Sequence, residues 1–177
     1  KPDYCIVWNK IMENEIKTIH GMREEEIYVG GIPHFDRYYN DVQKSEYFIK
    51  RSKRKLIYFG TGAPAWFTGN KKVIELVMKF IKNNHLDNEV ELIVRPHPAY
   101  FVRNKFSEEI EQIVLLEKKF QDNLQIILPE FIDRPNGFEF SDKDQDIHEY
   151  MIRECNILVT SYSTLMLEAV IFDKPII

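Results

Sequence analysis

Apolar runs of four or five residues recur along the last two-thirds of the chain, beginning near residues 56, 91, 124, 157 and 175. They are hydrophobic at consecutive rather than alternate positions, which is how strands buried on both faces of a parallel sheet read. Between the runs the period changes to 3.6. The pattern predicts a helix over about 70–83 with Val73, Leu76, Val77, Phe80 and Ile81 inward. A second covers about 107–120 with Ile110, Ile113, Val114 and Phe120 inward, and a short third carries Ile147, Tyr150 and Met151 on one face. A fourth ends near Phe172 and is apolar nearly all round, so it is expected to be buried. Strands alternating with helices predict an α/β fold, a Rossmann-like doubly wound parallel sheet. Right-handed crossovers then place the loops after the strands along one edge.

The first 55 residues lack this regularity. Residues 3–9 read as a short buried strand, followed by a helix with Met12, Ile16 and Ile19 on one face and Gly21 as its stop. A short strand, Ile27-Tyr28-Val29, and a turn-rich connection over 30–36 come next, and residues 37–55 are polar and increasingly basic. The expected division is 1–26 as the end of a preceding domain, 27–55 as a tether, and 56–177 as the α/β domain. The alternation stops inside the strand Pro175–Ile177, where a domain of this type is expected to continue.

Composition narrows the partners. A net charge of -4 and a pI near 5.8 give no general attraction to nucleic acid or anionic lipid. The basic run from Lys50 to Lys55 is the exception; it reads as a solvated linker, with a membrane-surface or polyanion contact as the alternative. No window approaches the roughly 20 apolar residues of a membrane span. Cys5 and Cys155 lie in apolar segments outside any metal or redox spacing, and are expected to be buried thiols in a reducing compartment. The histidines form no ligand cluster, so no metal is expected. Glu139, Asp142, Asp144 and Asp146 follow Pro135-Asn136-Gly137 without the Gly and Glu of a calcium loop, and read as a flexible acidic surface loop between 133 and 146.

Three of the strand-end loops carry chemistry. Gly60-Thr61-Gly62-Ala63-Pro64 is neither a dinucleotide nor a Walker loop, but its glycines allow positive φ and close approach of a ligand. In Arg95-Pro96-His97-Pro98 two prolines stiffen the backbone around one histidine, which suits a phosphate contact or a general acid on a departing phosphate. In Thr160-Ser161-Tyr162-Ser163-Thr164, one hydroxyl suffices to cap the following helix, and the others are left for a ligand. That helix is expected to aim open N–H groups at the same edge, where α/β sheets bind anions. Glu168, one turn into it, can accept hydrogen bonds from ribose hydroxyls or lie on a surface face.

In order and spacing these motifs resemble the C-terminal, donor-binding half of GT-B glycosyltransferases. The similarity is to the branch of CDP-glycerol glycerophosphotransferases, capsule polysaccharide enzymes and HP-motif bacterial sialyltransferases. It rests on Ile27-Tyr28-Val29-Gly30-Gly31-Ile32-Pro33-His34-Phe35-Asp36, the Gly60–Gly62 loop, Arg95-Pro96-His97-Pro98, and the stretch from Asn156 to Ile177, and covers about residues 27–177. The resemblance implies one half of a GT-B architecture that transfers a sugar or polyol phosphate from a nucleotide-activated donor to a surface polysaccharide. His97-Pro98 and Ser163-Thr164 would hold the donor phosphate, aided by Gly60, Thr61, Gly62, Arg95 and Ser161; His97 would also be the catalytic residue, and Glu168 would take the ribose. The combination of His97-Pro98 with Ser163-Thr164 implies a CMP- or CDP-linked donor, with UDP open, and the branch usually has Thr-Asp-Tyr-Ser-Ser where this chain has Thr160-Ser161-Tyr162-Ser163-Thr164. No bound cofactor or metal is implied: the donor is a substrate, and helix dipole, hydroxyls and basic side chains stabilise the leaving phosphate. A glycan acceptor, bound mainly by the other half, is implied. So are a cytoplasmic location and a peripheral contact with the inner membrane. A UDP-sugar 2-epimerase and a non-catalytic nucleotide-binding module are the alternatives.

Overall fold

The computed structural model describes residues 2–39, 53–101, 107–134, 137–161 and 163–177. The chain folds as two compact units, Lys1–Lys44 and Ser45–Ile177. Of the expected tether, 27–55, residues 40–52 lie outside the described residues, as does Tyr162.

In the first unit, β1 (Cys5–Val7) pairs in parallel with β2 (Ile27–Val29) through α1 (Lys10–His20). Asn9 caps α1 by accepting from Met12 N–H at 3.0 Å, and Gly21 ends it in the left-handed region at φ 60°. Both follow from residue type: a short amide side chain mimics the missing turn, and only glycine adopts that φ without strain. The small core is Val7, Met22 and Ile27, with Met12 and Ile16 against it. Two expectations fail here. Tyr4, Ile6, Trp8 and Ile19 are exposed, and Cys5 is only half-buried, because a two-stranded pair with one helix covers a single face.

The second unit is built on a four-stranded parallel sheet. Its strands are β3 (Lys55–Gly60), β4 (Val90–Arg95), β5 (Leu124–Ile126) and β8 (Ile157–Thr160), in the order β5-β4-β3-β8. Pro175–Ile177 lies along the far side of β8, with Leu158 N–H donating to Pro175 O and Ile177 N–H to Leu158 O, both at 2.9 Å. Successive side chains of a strand point to opposite faces, and the two cores sort accordingly. Phe59, Leu92, Val94 and Leu124 pack with α2 (Asn70–Asn83) and α3 (Ser107–Lys119). Leu56, Tyr58, Ile93 and Leu158 pack with α4 (Asp142–Glu154) and α5 (Leu165–Ile171) on the other side. Helices on both faces of a parallel sheet make the fold α/β and doubly wound, as the alternation predicts.

Helix rotation departs from the pattern. In α2 the buried positions are Asn70, Ile74, Met78 and Ile81, while Leu76 and Phe80 are exposed. Burial of Asn70 against the preceding loop turns the helix so that Ile74 and Met78 face inward. In α3, Leu116 joins Ile113 and Phe120, and Val114 is half-buried. α5 is not buried all round either: Leu165, Glu168 and Ala169 face the sheet, whereas Leu167 and Val170 are 46% and 67% exposed.

The acidic loop expected over 133–146 is replaced by regular structure. β6 (Phe131–Arg134) and β7 (Gly137–Phe140) form an antiparallel hairpin, and Asp142, Asp144 and Asp146 occupy the start of α4. Ser141 caps that helix by accepting from Asp144 N–H at 3.1 Å. Asp144 itself is buried. Among the described residues no helix is long and apolar enough to cross a membrane, and no group of His, Cys, Asp and Glu is placed to hold a metal ion.

Candidate functional site at the carboxyl edge of the sheet

The chain runs outward through β3, β4 and β5, then returns to place β8 on the other side of β3. The order therefore reverses between β3 and β8, and the crevice outside the carboxyl ends at such a switch is where open α/β sheets bind ligands. Gly60 ends β3 in register with Arg95 of β4 and Thr160 of β8. The three loops singled out from the sequence therefore leave the sheet side by side.

Direct bonds join them. Thr61 is buried, and its Oγ1 accepts the His97 backbone N–H at 2.8 Å, while Thr61 N–H donates to Arg95 O at 3.1 Å. Thr160 Oγ1 donates to Gly60 O at 3.1 Å. Neither Gly60 nor Gly62 uses the positive φ that glycine allows. Space is what they supply: a Cβ on Gly60 would stand 2.2 Å from Leu165 Cδ2, and one on Gly62 2.6 Å from Ser161 Oγ. The glycines let the first turn of α5 and Ser161 close onto β3.

His97 heads a 3-10 turn over Pro98–Tyr100, and its Nδ1 accepts from Ala99 N–H at 3.1 Å. With Nδ1 an acceptor, the neutral ring carries its proton on Nε2. Burial pushes the His97 pKa down, which keeps the imidazole neutral near pH 7. It is thus a directed N–H donor rather than a standing charge.

Ser163 Oγ accepts from Leu165 N–H at 3.2 Å and Ser163 O from Met166 N–H at 3.1 Å, while Thr164 O accepts from Leu167 N–H at 2.9 Å. The first N–H groups of α5 are consequently used within the turn, contrary to expectation, because the chain enters the helix through a tight hydroxyl-capped bend. The Thr164 side chain makes no capping bond and is exposed.

Arg95 and Glu168 sit deeper, on the α4–α5 side. The buried Arg95 guanidinium is paired through Nη2 with Asp144 Oδ2, and Asp144 Oδ1 accepts from Glu130 N–H at 2.8 Å. Among the described residues, Arg95 Nη1 is the buried side-chain nitrogen or oxygen without a hydrogen-bond partner. Glu168, for which the sequence offers no visible partner, has its Oε2 3.0 Å from His148 Nε2.

Asn70 is the residue the sequence does not reveal. Fully buried, it accepts from Gly62 N–H at 2.9 Å and donates to Gly62 O at 3.0 Å and to Tyr100 Oη at 2.8 Å. Tyr100 in turn donates to Glu109 at 2.9 Å. One amide thus fixes both the glycine loop and the turn that carries His97. Its only signal is a small polar residue at the first position of a helix, which many helices share.

The fold is a Rossmann-like α/β domain with a switch point between β3 and β8, and solved structures share it. The chain matches the S. aureus MnaA–UDP co-structure with a TM-score of 0.62 at 16% identity, over 98% of this chain and 41% of that one. It matches the wall teichoic acid polymerase TagF with a TM-score of 0.58 at 17% identity, over 98% and 38%. UDP-GlcNAc 2-epimerase from Neisseria meningitidis bound to UDP-GlcNAc gives 0.61 at 13%, over 99% and 44%. The chain therefore spans about two-fifths of the length of the structures it resembles. No curated protein sequence matches it. The particular family is settled by sequence: residues 1–177 match the model of CDP-glycerol:poly(glycerophosphate) glycerophosphotransferase, and the chain belongs to that family.

Proposed function

We propose that this chain is the donor-binding part of a transferase that moves a polyol phosphate or sugar from a nucleotide-activated donor, CMP- or CDP-linked in preference to UDP-linked, to a growing cell-surface polymer. The observation that carries the reading is the meeting of three loops at the switch point, with Gly60 flanked by Arg95 and Thr160. Such a crevice suits a donor phosphate, and family membership favours transfer over epimerisation.

In this reading the neutral His97 donates its Nε2–H as a hydrogen bond to a donor phosphate oxygen; as the acid it first takes a proton from solvent to become imidazolium, gives one proton to the departing phosphate, and returns to the neutral ring. The hydroxyls of Ser161, Ser163 and Thr164 add donors at the same edge. Thr61 acts through His97, by holding the loop, and Gly60 and Gly62 act by letting the turns close. Arg95 brings positive charge beneath the crevice, with Nη1 as the donor not engaged by Asp144. Glu168 takes the ribose. The first unit, in which Ile27–Val29 pairs with β1 rather than opening the expected tether, then closes a preceding domain, and the acceptor site lies outside 56–177. The cytoplasmic face of the membrane is where such a transferase would meet its acceptor.

Calorimetric titration with CMP, CDP and UDP, with and without magnesium, tests the reading. Saturable binding of cytidine nucleotides, weakened in His97→Ala and Ser163→Ala, is the expected result. Preference for UDP, with turnover of a UDP-sugar in the absence of acceptor, would replace it by the epimerase reading.

A further inference from the structure

Beneath the crevice lies a chain of three side chains from three elements. Tyr58, in the middle of β3, is fully buried, and its Oη is 3.2 Å from Nδ1 of His148 on α4. His148 Nε2 is 3.0 Å from Oε2 of Glu168 on α5, whose side chain is 8% exposed. The Tyr58 and His148 rings meet edge-on, with centroids 6.3 Å apart. Arg95, Asp144 and Cys155 are the other ionisable groups around Tyr58. The α5 backbone alone would leave the Glu168 carboxylate several rotamers.

We propose that Tyr58 and His148 are positioning residues for Glu168, fixing its carboxylate for the ribose hydroxyls of the nucleotide; this rests on the function proposed above. Burial pushes the Tyr58 pKa up, so the phenol keeps its proton and can donate it to Nδ1. An accepting Nδ1 leaves the proton on Nε2, which then donates to Glu168. The chain therefore has one direction, Tyr58 O–H to His148 to carboxylate, and one oxygen of Glu168 is anchored. No proton need be transferred for it to work. A Glu at this place without the histidine would still be acidic but would not be aimed.

The test is ribose discrimination by the full chain, read as the ratio of dissociation constants for 2′,3′-dideoxy-CDP and CDP. Glu168→Gln and His148→Ala should each reduce that ratio by about tenfold, the worth of a charge-assisted hydrogen bond, with dideoxy-CDP affinity unchanged. Tyr58→Phe, which removes one oxygen from a packed ring, should reduce it by about threefold. His148→Gln keeps a donor toward Glu168 and should restore most of the ratio. Equal loss of affinity for both nucleotides in His148→Ala, or an unchanged ratio, overturns the positioning role while the nucleotide site stands. A wild-type ratio near one overturns the ribose contact. Failure of the wild type to bind either nucleotide overturns the function reading and the proposal together.

Discussion

The backbone N–H of His97 donates to the buried hydroxyl of Thr61 across 2.8 Å, and this bond ties the loop after β4 to the loop after β3. A threonine in the glycine loop and a histidine in the proline loop are thereby one unit. The residue that looks like a ligand contact in the sequence is spent on aiming its neighbour.

Thr61→Val should therefore destabilise the protein by about 1 kcal/mol, since it strands a partly buried N–H in an isosteric pocket. Nucleotide affinity should fall with it, although Thr61 touches no ligand. Thr61→Ser should preserve both. Urea denaturation with parallel titrations checks this; a Thr61→Val protein of native stability would remove the bond from consideration.

Arg95 and Asp144 form a buried ion pair between β4 and α4. Removing one partner leaves a charge uncompensated, so Asp144→Leu or Arg95→Met alone should cost about 3–5 kcal/mol, and the double replacement Arg95→Met with Asp144→Leu much less. A double-mutant cycle on chemical denaturation measures the coupling; additive losses would mean that the pair contributes nothing.

Gly60→Ala places a Cβ 2.2 Å from Leu165 Cδ2 and should cost about 1–3 kcal/mol as Leu165 is displaced. Leu165→Ala in the same chain opens that space. The pair should therefore lose less stability than the two single losses added, which thermal unfolding of the four proteins will read.

Burial depresses the folded-state pKa of His97 below the ordinary histidine value of about 6.5. The unfolded chain then binds more protons in the window below 6.5, so this contribution to stability is present above that pH and is lost as pH falls through the folded value. His97→Gln should flatten the stability profile in that window. A slope identical to wild type would show that another group controls it.

Burial also raises the Cys155 thiol to about 11, while Cys5 is half-buried. Thiolate is the reactive form, so at pH 8 a disulfide reagent should label one thiol in the native protein and the second only on unfolding. Mass mapping should place the slow label on Cys155.

The sequence by itself determined the order of strands and helices and the edge that bears the chemistry. Consecutive apolar residues at Leu56–Phe59, Leu92–Val94 and Ile157–Val159 can be satisfied only by burial on both faces, and right-handed crossovers then leave no choice of edge. What only the tertiary structure decided is the set of partners. Asn70 with Gly62, Thr61 with His97, Arg95 with Asp144 and His148 with Glu168 are separated by 8, 36, 49 and 20 positions. A polar side chain carries no mark of which distant group will meet its hydrogen-bonding need. That is fixed when the helices dock, because a buried donor or acceptor must then find its partner within about 3 Å.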